Sequence, residues 1–208
     1  MNDRARILVV AATARELATP DGWHTLQCGV GPVEAAARTA AAIAALHPAA
    51  ILHVGIAGAR RARALAPASL VIGSEARYCD SNVPAEWAPS TVQASVTLLH
   101  AVQRALPNAP TLTIGTSARV GGTVHCDVEA MEGFGVLRAA QLAGVPAIEV
   151  RAISNDIEEQ DRARWHFDAA FAAITAVTPQ LVRALQQRLT DVSDSASDNA
   201  CAHFRLFA

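Results

Sequence analysis

Ile7 to Ala12 is an unbroken apolar run, rich in β-branched side chains, that gives way to polar residues at Thr13. Such a run is the pattern of a strand buried on both faces, and strands of that kind belong to parallel sheets covered by helices. Ala50 to Val54 and Ala147 to Ile153 repeat the pattern, and Thr25 to Val30, Leu70 to Ala76 and Leu112 to Thr116 predict further strands. Between them lie helical stretches. The alanine-rich Val33 to Leu46 follows Pro32 and is stopped by His47-Pro48, Val92 to Leu106 stops at Pro107, and Met131 to Ala143 is closed by Gly144. Phe167 to Leu189 predicts a long last helix, with an interruption at Pro179. Gly55-Ile56-Ala57-Gly58 reads as a glycine turn, and Val120-Gly121-Gly122 as a glycine loop. The alternation predicts an α/β fold with a central, mostly parallel sheet in a single domain over residues 1–190. Residues 191–208 form a polar tail, expected to be loosely held.

Half of the 208 residues are hydrophobic (51%), enough for a substantial core, and only 17% are charged. The net charge of −2, with no basic stripe, argues against nucleic acid as a partner. All 17 basic residues are arginine, which removes Schiff-base and P-loop chemistry, since both need lysine. Cys28, Cys79, Cys126 and Cys201 are far apart and never form CxxC, so free thiols are expected rather than a zinc site or a disulfide framework. No segment approaches the ~20 apolar residues of a membrane span, and the first apolar run is too short for a signal peptide. A soluble, cytoplasmic protein without a membrane partner is expected.

In open α/β sheets, ligands bind at the carboxyl ends of the strands. That rule selects Thr13 to Glu16, Gly55 to Gly58, Ser74 to Asp80, and Ser154 to Asp156. Glu16 is either a dipole-compatible carboxylate at a helix start or a general base. The glycines at 55 and 58 allow close approach of backbone to a flat ligand, and Arg60, Arg61 and Arg63 read as a solvated turn or a phosphate site. Glu129 and Glu132 stand three residues apart where a helix begins, beside Met131, Gly133 and Phe134. They are ordinary first-turn carboxylates or, in so apolar a setting, acceptors for paired sugar hydroxyls. Asn155 and Asp156 form a cap or turn, or reach a ligand at the sheet edge. Trp165 and Phe167 are core aromatics or the wall of an apolar pocket. His125 reads as a loop histidine, and no metal cluster or Ser/His/Asp arrangement is legible.

Together, ILVVAATARELA, CGVGPVEAAARTAAAIA, VGIAGA, VIGSEARYCDSNV, VEAMEGFGVLRAAQLAGVPAIEVRAISN and DRARWHFDAAF are similar to the nucleoside phosphorylase/nucleosidase superfamily. The likeness extends over residues 5 to 189. It includes the purine nucleosidases that act on methylthioadenosine and adenosylhomocysteine, which share the EARY run and the Met-Glu pair. The Glu-Gly-Phe and Ile-Ser-Asn sequences resemble above all the futalosine hydrolases. The resemblance implies a mixed, partly barrel-like sheet and a homodimer or higher homo-oligomer. It also implies a small-molecule nucleoside substrate, no cofactor and no metal. It makes Glu16 the carboxylate that activates water and Glu132 the ligand of the ribose hydroxyls, with Met131 beneath the sugar. Ala57, Gly58 and Val120 border ribose and base, and Phe167 and Trp165 lie near the 5′ substituent. Ile56 departs from the serine of the nucleosidases, and the loop between Ser117 and Glu129 is shorter than theirs.

Asn155 stands where the adenine nucleosidases have an aspartate that protonates N7. Adenine presents an acceptor and a donor, whereas a 6-oxopurine presents two acceptors, and an asparagine amide carries two N–H donors. Hypoxanthine is therefore the expected leaving base, and menaquinone synthesis through futalosine the implied pathway. Three rivals remain: an adenine nucleosidase, a phosphorolytic enzyme using Arg15, Arg60 or Arg77 to hold phosphate, and a non-catalytic nucleoside-binding protein.

Overall fold

The computed structural model describes residues 6–123 and 125–204, with 192–204 as helical backbone only. Eight strands and four α-helices follow one another as β1 (Ile7–Ala11), β2 (His24–Gln27), α1 (Pro32–Leu46), β3 (Ala50–Ala59), β4 (Leu70–Tyr78), β5 (Thr91–Gln93), α2 (Val96–Ala105), β6 (Thr111–Thr116), β7 (Val128–Ala130), α3 (Gly133–Leu142), β8 (Ala147–Asp156) and α4 (Phe167–Phe204). The sheet runs β2-β1-β3-β7-β6-β4-β5, and β8 pairs with both β3 and β4. That double pairing closes β3, β7, β6, β4 and β8 into a ring, so the sheet is mixed and barrel-like as well as mostly parallel. The antiparallel pairs are β3 with β7, β4 with β5 and β4 with β8.

One apolar cluster joins the sheet to α2 and α4 through residues such as Leu52, Val150, Leu98, Ile174 and Leu181. A second, including Leu8, Ile51, Ile43, Val136 and Leu137, joins it to α1 and α3. A third draws Ala57, Val71, Ile114, Val128 and Ile153 from all five strands of the ring. Gly135 sets the approach of α3 to α1: a Cβ there would lie 2.4 Å from the Pro32 carbonyl oxygen.

Several expectations are corrected. Gly55 to Gly58 is not a turn but part of β3, and Ser154 to Asp156 is not a cap but the end of β8. Glu129 lies in strand β7, and Glu132 immediately precedes α3, so neither is in the first turn of a helix. Helix α4 is unbroken at Pro179 and continues through the acidic stretch to Phe204. Its apolar face is buried on both sides of the proline, through Ile174 before it and Leu181, Val182 and Leu185 after it. Burial of those side chains offsets the roughly 3 kcal/mol that an interior proline costs. Residues 205–208, the last of the expected loose tail, lie outside the described residues.

The core is not wholly apolar. Arg151, on β8, is fully buried. Its Nε donates to Glu149 Oε1 at 2.7 Å, and its Nη2 lies 3.5 Å from Glu132 Oε2. Nη2 is also 2.5 Å from His53 Nε2, while His53 Nδ1 is 3.0 Å from the Val10 carbonyl oxygen. A carbonyl only accepts, so Nδ1 carries the proton and Nε2 accepts from the guanidinium. Burial, then the adjacent Arg151 charge, holds the His53 pKa well below its usual value, and the ring stays neutral. Burial pushes both Glu149 and Glu132 up, and Arg151 opposes the shift at each. Two glycines give the group room. A Cβ at Gly55 would lie 2.1 Å from Arg151 Nη1, and one at Gly133 would lie 2.3 Å from Glu149 Oε2. The first of these corrects the expectation that Gly55 is a glycine for the sake of a ligand.

Removing the guanidinium leaves two carboxylates buried without their cation, so Arg151→Gln is expected to cost about 3–5 kcal/mol of stability near pH 8. The sign with pH follows from the raised carboxyls. As pH falls through their folded-state values the native variant takes up protons that the unfolded chain does not, and the deficit against the parent shrinks. Urea unfolding at pH 8 and pH 5 checks this, and an equal deficit at both would contradict it.

Candidate active site

At the carboxyl ends of β1, β3 and β8 lies a cavity of about 670 Å³. Glu16, Ala57, Gly58, Val120, Met131, Glu132, Asn155, Trp165 and Phe167 all line it, so the residues singled out from the sequence meet around one space. The Ser74–Asp80 segment does not contribute a wall. Asp80 instead accepts from Ser117 Oγ at 2.9 Å and from the Ala118 N–H at 2.6 Å, and so holds the loop that leads to Val120.

Glu16 ends a 3-10 turn, Ala14–Glu16, directly after β1, and is buried. Its Oε2 accepts from the Thr13 N–H and the Thr13 hydroxyl, both at 2.8 Å, and its Oε1 accepts from the Ile56 N–H at 3.2 Å. These bonds tie the carboxylate to the start of its own turn and to β3, and it still faces the cavity. One side chain thus serves both readings offered by the sequence, a turn carboxylate and a group presented to a ligand. Gly55 contributes to this placement, since a Cβ there would come within 3.0 Å of Glu16 Oε1.

Glu132 is held from two sides. Its Oε1 accepts from the Gly31 N–H at 3.1 Å, and its Oε2 faces Arg151. Each carboxylate oxygen has two lone pairs, so acceptor capacity remains for hydroxyls in the cavity. Glu129 has a different position. It is buried in β7 and accepts from the N–H groups of Gly121 and Thr123, at 2.5 and 2.9 Å, and from the Thr123 hydroxyl at 2.7 Å. These bonds satisfy most of its capacity and fix the glycine loop that carries Val120.

Asn155 owes its position to an irregularity. The pairing of β3 with β8 shifts between Ala57, opposite Ile153, and Gly58, opposite Asn155. Ser154 is the extra residue of this bulge, and both it and Asn155 line the cavity, whereas Asp156 pairs with Arg61. Asn155 Oδ1 accepts from Ser154 Oγ at 2.7 Å, and its Nδ2 donates to the Asp156 carbonyl oxygen at 2.9 Å. Turned over, the amide would set oxygen against oxygen at Asp156, so its orientation is fixed. One N–H is spent inside the protein and one remains, where the sequence alone credits the amide with two for the base.

The outer wall is aromatic. Trp165 and Phe167 have ring centroids 5.4 Å apart, Phe167 and Phe171 are stacked at 6.2 Å, and the Trp165 indole N–H donates to the Glu159 carbonyl at 2.9 Å. Arg15, Arg60 and Arg77 do not line the cavity. Arg15 pairs with Asp168, Arg60 donates to the Thr123 and Cys126 carbonyls, and Arg77 pairs with Glu75. Arg61 and Arg63 pair with Asp156 and Asp127. His125 remains exposed, and Cys28, Cys79 and Cys126 are free thiols. Among the described residues, no group of three or more His, Cys, Asp or Glu side chains is placed to hold a metal ion, and no helix is long and apolar enough to cross a membrane.

Sequence reasoning missed Arg151, Glu149 and His53. A signal was present, because residues two apart on a strand share a face and Glu-Val-Arg in an otherwise apolar run places acid and base side by side.

Comparison with known proteins gives the family and the fold. The model of the phosphorylase superfamily matches residues 24–192. The futalosine hydrolase of Streptomyces coelicolor is 34% identical, over 80% of this chain and 81% of its own. A methylthioadenosine/adenosylhomocysteine nucleosidase from Colwellia psychrerythraea, solved with adenine, shares the fold with a TM-score of 0.75 at 18% identity, over 90% of this chain and 96% of its own. The futalosine hydrolase of Helicobacter pylori superposes with a TM-score of 0.71 at 16% identity, over 90% and 98% of the two chains. The chain belongs to the phosphorylase superfamily and, within it, to the family of the futalosine hydrolases, which are N-glycosyl hydrolases.

Proposed function

We propose that this protein hydrolyses the N-glycosidic bond of futalosine, a 6-oxopurine nucleoside, and releases hypoxanthine as a step of menaquinone synthesis. The observation that carries the reading is the meeting of Glu16, Glu132 and Asn155 around one cavity, in a chain related to the Streptomyces coelicolor futalosine hydrolase. Cleavage passes through an oxocarbenium-like transition state, in which the ribose gains positive and the purine negative charge. The base leaves as its anion, stabilised by a hydrogen bond from the remaining Asn155 N–H, and takes its proton from solvent. Glu132 accepts from the ribose hydroxyls and favours the positive charge on the ring, with Met131 packed below the sugar. Glu16, aligned by Thr13 and Ile56, takes the proton of the attacking water. Ala57, Gly58 and Val120 border the ribose and base, and Trp165 and Phe167 face the 5′ group.

Hydrolysis is favoured over phosphorolysis because none of the arginines that would hold phosphate lines the cavity and each is bonded elsewhere, Arg15 to Asp168 and over the outer side of Phe171, whereas a carboxylate faces the cavity. A homodimer or higher assembly belongs to the same reading. Val30 and Val120 line the cavity while 57% and 45% exposed, and a neighbouring subunit would cover them. So does a cytoplasmic location, which the free thiols support.

The first test is incubation with futalosine, aminodeoxyfutalosine and methylthioadenosine in phosphate-free buffer, with chromatography of the released base. Hypoxanthine from futalosine is expected. Adenine release from the other two would make the protein an adenine nucleosidase, and activity only on adding phosphate would make it a phosphorylase. Glu16→Gln should lower kcat by about 10²–10⁴-fold and change the nucleoside Kd little; a normal kcat would remove Glu16 from the mechanism. Asn155→Asp sets a carboxyl against the Asp156 carbonyl, where it must carry a proton. The variant is then expected to raise the adenine-to-hypoxanthine ratio of kcat/KM by about tenfold or more, and an unchanged ratio would sink the assignment of Asn155 to the base.

A further inference from the structure

The inner part of the cavity is acidic, with Glu16, Glu129 and Glu132, but its mouth is not. Two guanidinium side chains, Arg119 and Arg162, complete the lining. Among the described residues, neither meets a carboxylate. For Arg162 this stands out locally, because its neighbour Arg164 pairs with Glu159 at 3.1 Å. Arg162 opens a 3-10 turn, Arg162–Arg164, capped by Asp161, whose carboxylate accepts from the Ala163 N–H at 3.0 Å. The turn is closed by a bond from the Trp165 N–H to the Arg162 carbonyl at 3.2 Å. The guanidinium carbon of Arg162 lies 5.7 Å from the centre of the Trp165 ring, at the edge of the wall that continues through Phe167 and Phe171.

An aromatic surface ending in a cation without a counterion is complementary to a flat aromatic acid, whose ring stacks on the wall and whose carboxylate meets the guanidinium. Arg119 lacks this continuity, since it lines the cavity from the loop of Val120 and, among the described residues, stands over no aromatic ring. We propose that Arg162 is the ligand of a carboxylate carried by an aromatic group on the 5′ carbon of the substrate. The assignment rests on the futalosine reading of the cavity, whose substrate carries an aryl ketone acid at that end, and adds to it the residue that reads the charge. The contact is remote from the glycosidic bond, so it acts in binding and belongs in KM rather than kcat.

The test compares futalosine with its methyl ester, which keeps the ring and loses the charge. Initial rates are measured alongside calorimetric Kd values, for the parent protein, Arg162→Gln, Arg162→Lys and Arg119→Gln. A charge-assisted contact of this kind should make the acid about 10- to 100-fold better than the ester in kcat/KM and in Kd for the parent. Arg162→Gln should lose that factor on the acid alone, with ester kcat/KM within about twofold of the parent, and Arg162→Lys should recover part of it. Three results would overturn the proposal: equal losses on acid and ester, no preference of the parent for the acid, or loss of the preference in Arg119→Gln and not in Arg162→Gln. The two readings fail separately. A parent that binds the acid through Arg162 but cleaves no nucleoside refutes the reaction and keeps the ligand. A parent that cleaves futalosine with a Kd indifferent to Arg162 refutes the ligand and keeps the reaction.

Discussion

A single buried cation organises this molecule. Arg151 lies inside the sheet, and it is the charge that the buried groups around it face. Glu149 and Glu132 face its nitrogens, and His53 is neutral with its proton on the far nitrogen. Two glycines, on β3 and at the start of α3, leave the volume it and Glu149 need. Isolated burial of such a charge would cost several kcal/mol, and the surrounding carboxylates and ring nitrogen compensate only when all are in place. The same contacts fix Glu132 at the edge of the cavity, so one group of interactions holds both the strand pair and the sugar-binding carboxylate proposed above. Stability and the geometry of the site are coupled at that point.

The second constraint is closure of the sheet. Because β8 pairs with β3 on one side and β4 on the other, its position leaves little freedom. The extra residue in β8 is absorbed at Ala57/Gly58, where a Cβ on Gly58 would come within 3.0 Å of Asn155 Nδ2. A regular strand would send Ser154 and Asn155 to opposite faces. The bulge turns both toward the cavity, and the serine then orients the amide. The neighbouring Asp156 is left outside, paired with Arg61.

Most of the architecture was legible because buried strands and amphipathic helices leave periodic traces in sequence. Ile7 to Ala11, Ala50 onward and Ala147 onward were readable as continuous apolar runs, and the helices as stretches closed by glycine or proline. What escaped was held by tertiary contacts. Strand β7 is three residues long with a carboxylate in the middle, and only the bonds that Glu129 makes to the Gly121–Thr123 loop let it be buried. The glycines of β3 looked like a turn because glycine is rare inside strands, but here they make room for side chains from β8 and from the 3-10 turn that carries Glu16. Pro179 looked like a break, yet burial of the helix on both sides of it prevailed. Glu16, Glu132 and Asn155 were found by residue type and resemblance. Arg151 was passed over because an arginine in an apolar run has no meaning until its partners are seen.

Helix α4 carries two functions on separate faces. Phe167 and Phe171, four residues apart, line the cavity and are only half-buried, while Ala170 and Ile174 on the adjoining stripe are fully buried against the sheet. Evolution can therefore act on the two faces independently. Exchanges at 167 and 171 alter what fits against the aromatic wall of the cavity while the packing that anchors the helix is untouched. The opposite end of the cavity has no such freedom, because a change there disturbs the buried arginine and the fold with it. A lineage built on this plan would keep the carboxylate end of its cavity fixed and diversify at the aromatic end.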